Sequence, residues 1–142
     1  MKNRLSDSKP KYLDASIPLC VLTQEPKEHF ERCLKIMDKI EKGNEKVITS
    51  VFTIVEIGFI LERREGINKG KVAEVLEALI DCLGLKLVDV EAALCREAIR
   101  LRLKYGVDFI DAYNVLTMKK RGIKEIYSLD RHYDIFKEIR RI

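Results

Sequence analysis

The sequence predicts an α/β fold, a three-layer α/β/α sandwich around a central parallel sheet. Short apolar runs of strand length alternate along the whole chain with longer segments of helical period. No Asn-Gly type hairpin turn joins two strand-like runs, and strands that cannot return by hairpins must be crossed over by helices, which makes them parallel. At 142 residues the chain is one domain, long enough to bury an ordinary core.

The elements follow in order. Lys11 to Asp14 reads as a short first strand ending in a carboxylate. Pro18 opens a helical turn, and a loop follows from Thr23 to Pro26. Between Lys27 and Lys42, the residues Phe30, Cys33, Leu34, Met37 and Ile40 recur at three- and four-residue spacing, an amphipathic helix stopped by Gly43 and Asn44. Lys46 to Thr49 is a short buried strand, and Ser50 caps the helix bearing Glu56. Gly66 to Gly70 breaks the chain before a second amphipathic helix, Lys71 to Leu83, which ends at Gly84. Leu85 to Val90 is a strand. The next segment, Glu91 to Tyr105, places Leu94, Ala98, Leu101 and Tyr105 on one helical face and stops at Gly106. Asp108 opens the helix Phe109 to Arg121, closed by Gly122. Lys124 to Leu129 is the last expected strand and leads into Asp130, with a short helix from Tyr133. Residues 1–10 read as a flexible polar lead-in and residues 11–142 as the single domain.

Composition narrows the function. The chain is 46% hydrophobic and 35% charged. It has no apolar run of about 18 residues or more, so no membrane span is expected. The polar start lacks the apolar centre of a signal peptide, and a cytoplasmic location is expected. The four cysteines, Cys20, Cys33, Cys82 and Cys95, form no CxxC pair and read as reduced thiols. A net charge of +4 permits a nucleic-acid partner without demanding one. No GxSxG, P-loop or GxGxxG occurs, which removes serine hydrolases, P-loop NTPases and dinucleotide enzymes.

Glu56 is the one charged residue in the apolar run Ser50 to Leu61. With Phe52 one turn before it and Ile60 one turn after, it is expected to point the same way as the apolar side chains. A carboxylate placed so needs a partner, because burying it unpaired costs several kcal/mol or more. Asp14 and Asp130 stand at carboxyl ends of expected strands, where open parallel sheets collect functional groups. Asp111 lies in the first turn of a helix, so all four acids can converge on one sheet edge. Crowded carboxylates repel unless a cation neutralises them, and oxygen ligands without His or Cys suit Mg²⁺ or Mn²⁺. Such a site hydrolyses phosphodiesters. Each acid also has a plainer reading. Asp108 and Asp111 have the spacing of a capping box, Asp14 fits a turn after a strand, Asp130 fits an N-cap, and Glu56 fits a structural ion pair. Of the two histidines, His29 reads as solvated, whereas Arg131 and His132 are candidate RNA contacts beside Asp130.

The order Asp14, Thr53 to Glu56, Asp108 to Ala112 and Ser128 to Asp130 resembles the PIN-domain family, including VapC-type toxin ribonucleases. The resemblance runs from about Lys11 to Phe136 and is most specific over Phe109 to Phe136. It implies a metal-dependent endoribonuclease acting on single-stranded RNA. Asp14 and Asp111 match the principal metal ligands, and Glu56 and Asp130 complete the acidic cluster. Ser128 matches the hydroxyl that steadies the first Asp, Ser16 the small polar residue after it, and Asp108 stands as a supporting residue. Two positions depart from the family pattern: Ser16 stands where many members have Asn, and His132 where another acid is common. The resemblance also implies an antitoxin partner and a homodimer. The apolar faces of Lys27 to Lys42 and Lys71 to Leu83 are the expected dimer surfaces. A PIN-fold protein that binds RNA or a partner without cutting, and a housekeeping RNA-processing nuclease, are the alternatives.

Overall fold

The computed structural model describes residues 9–142; residues 1–8 of the expected lead-in lie outside the described residues. Five parallel strands form one sheet: β1 (Lys11–Leu13), β2 (Val47–Ser50), β3 (Leu85–Val88), β4 (Glu125–Tyr127) and β5 (Arg140–Arg141), in the order β3-β2-β1-β4-β5. Six helices cross between them: α1 (Ser16–Thr23), α2 (Lys27–Glu41), α3 (Val51–Arg63), α4 (Lys69–Ile80), α5 (Ala92–Tyr105) and α6 (Phe109–Arg121).

Strand alternation divides the core into layers. Tyr12 and Ile48 face one side of the sheet, where they meet Leu94 and Ala98 of α5 and Ala112, Val115 and Met118 of α6. Their neighbours Leu13 and Val47 face the other side, against Ile17 and Cys20 of α1 and Cys33 and Ile40 of α2. Ala15 joins Ile57 and Leu61 of α3 and Val72 and Leu79 of α4 in a third cluster. From β1 the chain runs outward to β2 and β3 on one side, and β4 and β5 lie on the other. The order therefore reverses between β1 and β4, and the crevice at their carboxyl ends is the switch point where such sheets bind ligands.

Most expected elements are present with small shifts in their bounds. The first helix starts at Ser16, which leaves Pro18 inside the first turn, where its missing N–H costs nothing. Helix α4 starts at Lys69 because the Asn68 side chain accepts a hydrogen bond from the Lys71 amide at 2.9 Å. It ends at Ile80 rather than Leu83, and β3 ends at Val88 rather than Val90. The final helical piece is a 3-10 turn over Arg131–Ile135, opening two residues before Tyr133. Strand β5 is the one element that apolar patterning does not announce. It consists of two arginines paired with Glu125 and Ile126 of β4, and Arg140 forms an ion pair with Glu125. Charged edge strands of this kind resist pairing with other chains.

Candidate active site

Asp14 directly follows β1, and Ser128 directly follows β4, so the two end side by side across the switch point. Asp111 sits in the first turn of α6, and Asp130 caps the 3-10 turn by accepting from the His132 amide at 2.8 Å. Glu56 arrives from α3, whose first turn is fixed on α6 by edge-to-face packing of Phe52 on Tyr113 (4.9 Å) and on Phe109 (5.7 Å). The acids lie close enough that the charges of Asp14, Asp111, Asp108 and Asp130 all act on Glu56.

Asp14 is buried, and both of its oxygens are hydrogen-bonded. Its Oδ2 accepts from Ser16 Oγ at 2.6 Å, from Ser128 Oγ at 2.9 Å and from the Ser16 amide at 3.3 Å. Its Oδ1 lies 3.1 Å from the Tyr133 hydroxyl, which is also 3.1 Å from Asp111 Oδ1. Both serine hydroxyls thus donate to the first acid. Ser16 Oγ also accepts from the Leu129 amide at 3.0 Å, tying β1 and β4 together at the site.

The electrostatics are those of a negative cluster lacking a protein cation. Burial, and then the charges of Asp14 and Asp111, push the Glu56 carboxyl up to about 7. Burial and the charges of Asp14 and Asp130 push Asp111 up to about 6, partly opposed by the Tyr133 hydroxyl. Among the described residues, no Lys or Arg makes an ion pair with Asp14, Glu56, Asp108, Asp111 or Asp130. Asp111 is 7% exposed, and its buried Oδ2 has no hydrogen-bond partner. An unpartnered buried oxygen of this kind calls for a missing ligand. Asp108, Asp111 and His132 each present a donor atom, and these atoms all lie within 4.8 Å of one another.

Several sequence readings change here. Asp108 makes no side-chain capping hydrogen bond, so the capping-box reading of Asp108 and Asp111 does not hold. Glu56 is half-buried at the flank of α3, whose buried stripe is Thr53, Ile57, Gly58 and Leu61 rather than Phe52 and Ile60. In a helix apolar nearly all round, sequence does not say which stripe is buried. Glu56 has no basic partner, against the ion-pair reading. Asp130 does cap, and in addition lies 3.1 Å from His132 Nδ1. His132 stands inside the acidic cluster, 3.6 Å from Asp111 Oδ2, while Arg131 is exposed beside it.

Sequence reasoning missed a buried polar chain behind the acids. Tyr12 donates to Asn114 Oδ1 at 2.6 Å, and Asn114 Nδ2 donates to the Tyr133 hydroxyl at 2.9 Å. One signal was present: Asn114 is an amide within the fully buried run Ala112 to Val115, three residues after Asp111.

A parallel α/β/α sheet whose switch point gathers carboxylates, with no Lys or Arg ion-paired to them among the described residues, defines the class as an acidic-cleft α/β/α protein. Within that class the sequence matches the PIN domain over residues 11–141, and the chain belongs to the PIN-domain family. It is similar to a VapC ribonuclease of Aquifex aeolicus (strain VF5), with 29% identity over 124 residues, covering 87% of this chain and 89% of that one. Its fold is that of Mycobacterium tuberculosis VapC20, described as a sarcin-ricin loop cleaving toxin. The TM-score is 0.71 at 20% identity, over 87% of this chain and 92% of the other. The fold is shared with VapBC2 of Rickettsia felis, solved bound to a fragment of promoter DNA. There the TM-score is 0.60 at 11% identity, over 94% of this chain and 98% of the other. No helix among the described residues is long and apolar enough to cross a membrane.

Proposed function

We propose that this PIN domain is a divalent-metal-dependent endoribonuclease cutting single-stranded RNA, the toxin of a toxin–antitoxin pair. The observation that carries the reading is the cluster of Asp14, Glu56, Asp111 and Asp130 at the switch point, with no Lys or Arg ion-paired to it among the described residues and with Asp111 Oδ2 lacking a hydrogen-bond partner. All-carboxylate oxygen donors fit Mg²⁺ or Mn²⁺. Asp14 and Asp111 would hold the ion and Glu56 and Asp130 would complete its surroundings, with Asp108 and His132 near enough to add a donor. When bound, such an ion neutralises the acids, polarises a phosphodiester and makes hydroxide accessible near neutral pH.

The chain's own groups divide the remaining work. Ser16 and Ser128 hold Asp14 Oδ2, leaving Oδ1 toward Tyr133 and the cleft. Glu56, whose carboxyl burial and the neighbouring acids push upward in the metal-free cleft, is the candidate to take a proton on its carboxylate from an attacking water. Arg131 is an exposed cation beside the acids and is the candidate contact for RNA phosphate. A cytoplasmic location belongs to the same reading.

The antitoxin partner is supported by relatives whose solved forms are toxin–antitoxin assemblies. An apolar groove between α1, α2 and α4, lined by Pro18, Leu22, Met37, Val75 and Leu79, fits an amphipathic segment of such a partner. A homodimer belongs to the same reading. Its surface is better sought on α3 and α5 than on α2 and α4, because Val55, Phe59, Ile99 and Leu103 are more exposed than any large apolar residue within the latter helices.

The test is cleavage of a mixed single-stranded RNA pool with Mg²⁺ or Mn²⁺, with EDTA as control. Wild type is expected to cut, and Asp14→Asn and Asp111→Asn are expected to lose cutting by a hundredfold or more, ~3 kcal/mol of barrier. Cutting that survives EDTA, or variants as active as wild type, would overturn the metal-site assignment. A wild type that binds RNA without cutting would replace the nuclease by a binding protein.

A further inference from the structure

We infer that the Tyr133 hydroxyl is the positioning group of the metal-binding pair, sharing one proton between Asp14 and Asp111 to hold them in binding geometry. This rests on the metal reading above and adds a residue that sits on neither a strand end nor a helix start. Tyr133 is fully buried, with its ring in the core packed around α5 and α6. Its oxygen is 3.1 Å from Asp14 Oδ1 and 3.1 Å from Asp111 Oδ1, so the distance between those two acceptors cannot exceed the sum of the contacts.

The direction of the buried chain follows from charge. Two carboxylate oxygens face the Tyr133 oxygen, so its hydroxyl must donate toward them; lone pairs turned to both would be repulsive. Its acceptor side is then open and is filled by Asn114 Nδ2 at 2.9 Å. That orientation turns Asn114 Oδ1 toward Tyr12, whose hydroxyl donates to it at 2.6 Å. Tyr12 and Asn114 are also fully buried, so water does not compete at any link. The chain is satisfied end to end, and such networks fix a unique geometry.

The consequence falls on Asp111. Asp14 has three further hydrogen bonds on Oδ2, but Tyr133 is the sole hydrogen-bond donor to Asp111 among the described residues. The same hydroxyl occupies Oδ1 of Asp111 and leaves Oδ2 as its unpartnered atom. Without it, the one remaining donor beside that carboxylate in the described structure is His132 Nδ1, 3.6 Å from Oδ2 and too long for a hydrogen bond, and the two Oδ1 atoms face each other unscreened. Groups that orient metal ligands typically change affinity by about 10- to 100-fold when lost.

The experiment measures Mn²⁺ binding by calorimetry and by electron paramagnetic resonance, separately from RNA cleavage. Tyr133→Phe keeps the ring and the core and removes one oxygen. Circular dichroism and melting establish that it is folded at the working temperature. It is expected to bind Mn²⁺ at least tenfold more weakly than wild type. Tyr113→Phe removes the hydroxyl of an equally buried tyrosine, which accepts from the Glu91 amide and belongs to neither the acids nor the Tyr12–Asn114–Tyr133 chain, and is expected to change Mn²⁺ affinity less than threefold even where it lowers the melting temperature as much. Tyr133→Phe binding as tightly as wild type would overturn the inference. So would an equal loss in Tyr113→Phe, which would mean general loosening rather than positioning. A wild type that takes up no Mn²⁺ would instead remove the metal reading itself, and this inference with it.

Discussion

Two acids in the cleft hold their protons to unusually high pH, and the effect on stability has a definite sign. Glu56 titrates near 7 and Asp111 near 6 in the folded chain, above the ordinary carboxylate range that both regain on unfolding. Between that range and about 7, the folded chain keeps protons that the unfolded chain has released, so stability falls as pH rises. The depressed carboxyls of Asp134 and Glu138, each held down chiefly by a basic side chain, act below this window. In EDTA the melting temperature is therefore expected to be lower at about pH 8 than at about pH 5. Asp111→Asn is expected to flatten this slope and to gain on the order of 1 kcal/mol at the higher pH, since a neutral amide relieves the repulsion. Asp14→Asn should gain less, because it gives up hydrogen bonds that the Asp14 carboxylate oxygens accept from Ser16, Ser128 and Tyr133. A melting temperature that climbs across this range in wild type would contradict the electrostatic account of the cluster.

At the level of elements, the approach of α2 to the start of β3 depends on one residue without a side chain. Gly84 donates its amide to Ile40 O and accepts at its carbonyl from the Val47 amide, each at 2.8 Å. A Cβ built there would lie 2.0 Å from Glu45 O and 2.8 Å from Ile40 O, both rigid backbone atoms. The chain must therefore give way, moving β3 against β2. Gly84→Ala is expected to cost about 3 kcal/mol or more, in the range reserved for strain in the native backbone. Chemical denaturation checks it, and a midpoint within error of wild type would show that the close approach is not required. Near this joint α2 and α4 turn most of their large apolar residues inward. Cys33, Ile40, Val72 and Leu79 are buried, and Ile36, Met37, Val75 and Leu76 are half-buried around them.

For the whole molecule, apolar surface is left over on different helices. Phe59 of α3 is 59% exposed and Leu103 of α5 is 83% exposed, with Val55 and Ile99 beside them in sequence one turn away. Covering side chains of this size on association contributes roughly 1.5–3 kcal/mol each when complete. Light scattering at high micromolar concentration is expected to give a dimer, and the pair Phe59→Glu and Leu103→Glu is expected to shift it to monomer while leaving Mn²⁺ binding in place. Wild-type monomer at that concentration would end the dimer reading, and an unaffected dimer would place the interface elsewhere.

Sequence alone determined the alternation of strands and helices, and with it the parallel sheet. It also showed that Asp14 ends a strand and Asp111 opens a helix, because these follow from local periodicity and caps; Asp130, expected at the end of a strand reaching Leu129, instead stands three residues past β4 as the cap of the 3-10 turn. Where the fold needs a specific side chain at a specific turn, as Ser50 accepts from the Phe52 amide, the residue types speak directly. The buried stripe of α3 was not legible, since an apolar helix offers several stripes and only packing against α1 and α4 selects Ile57 and Leu61. Nor was β5, whose two arginines owe their strand conformation to the free edge of β4. The chain of Tyr12, Asn114 and Tyr133 brings together residues 102 and 19 positions apart, and each alone reads as an ordinary core or surface residue. Only the tertiary structure places their polar ends in one line, because in a buried site each donor must find an acceptor wherever the fold puts one.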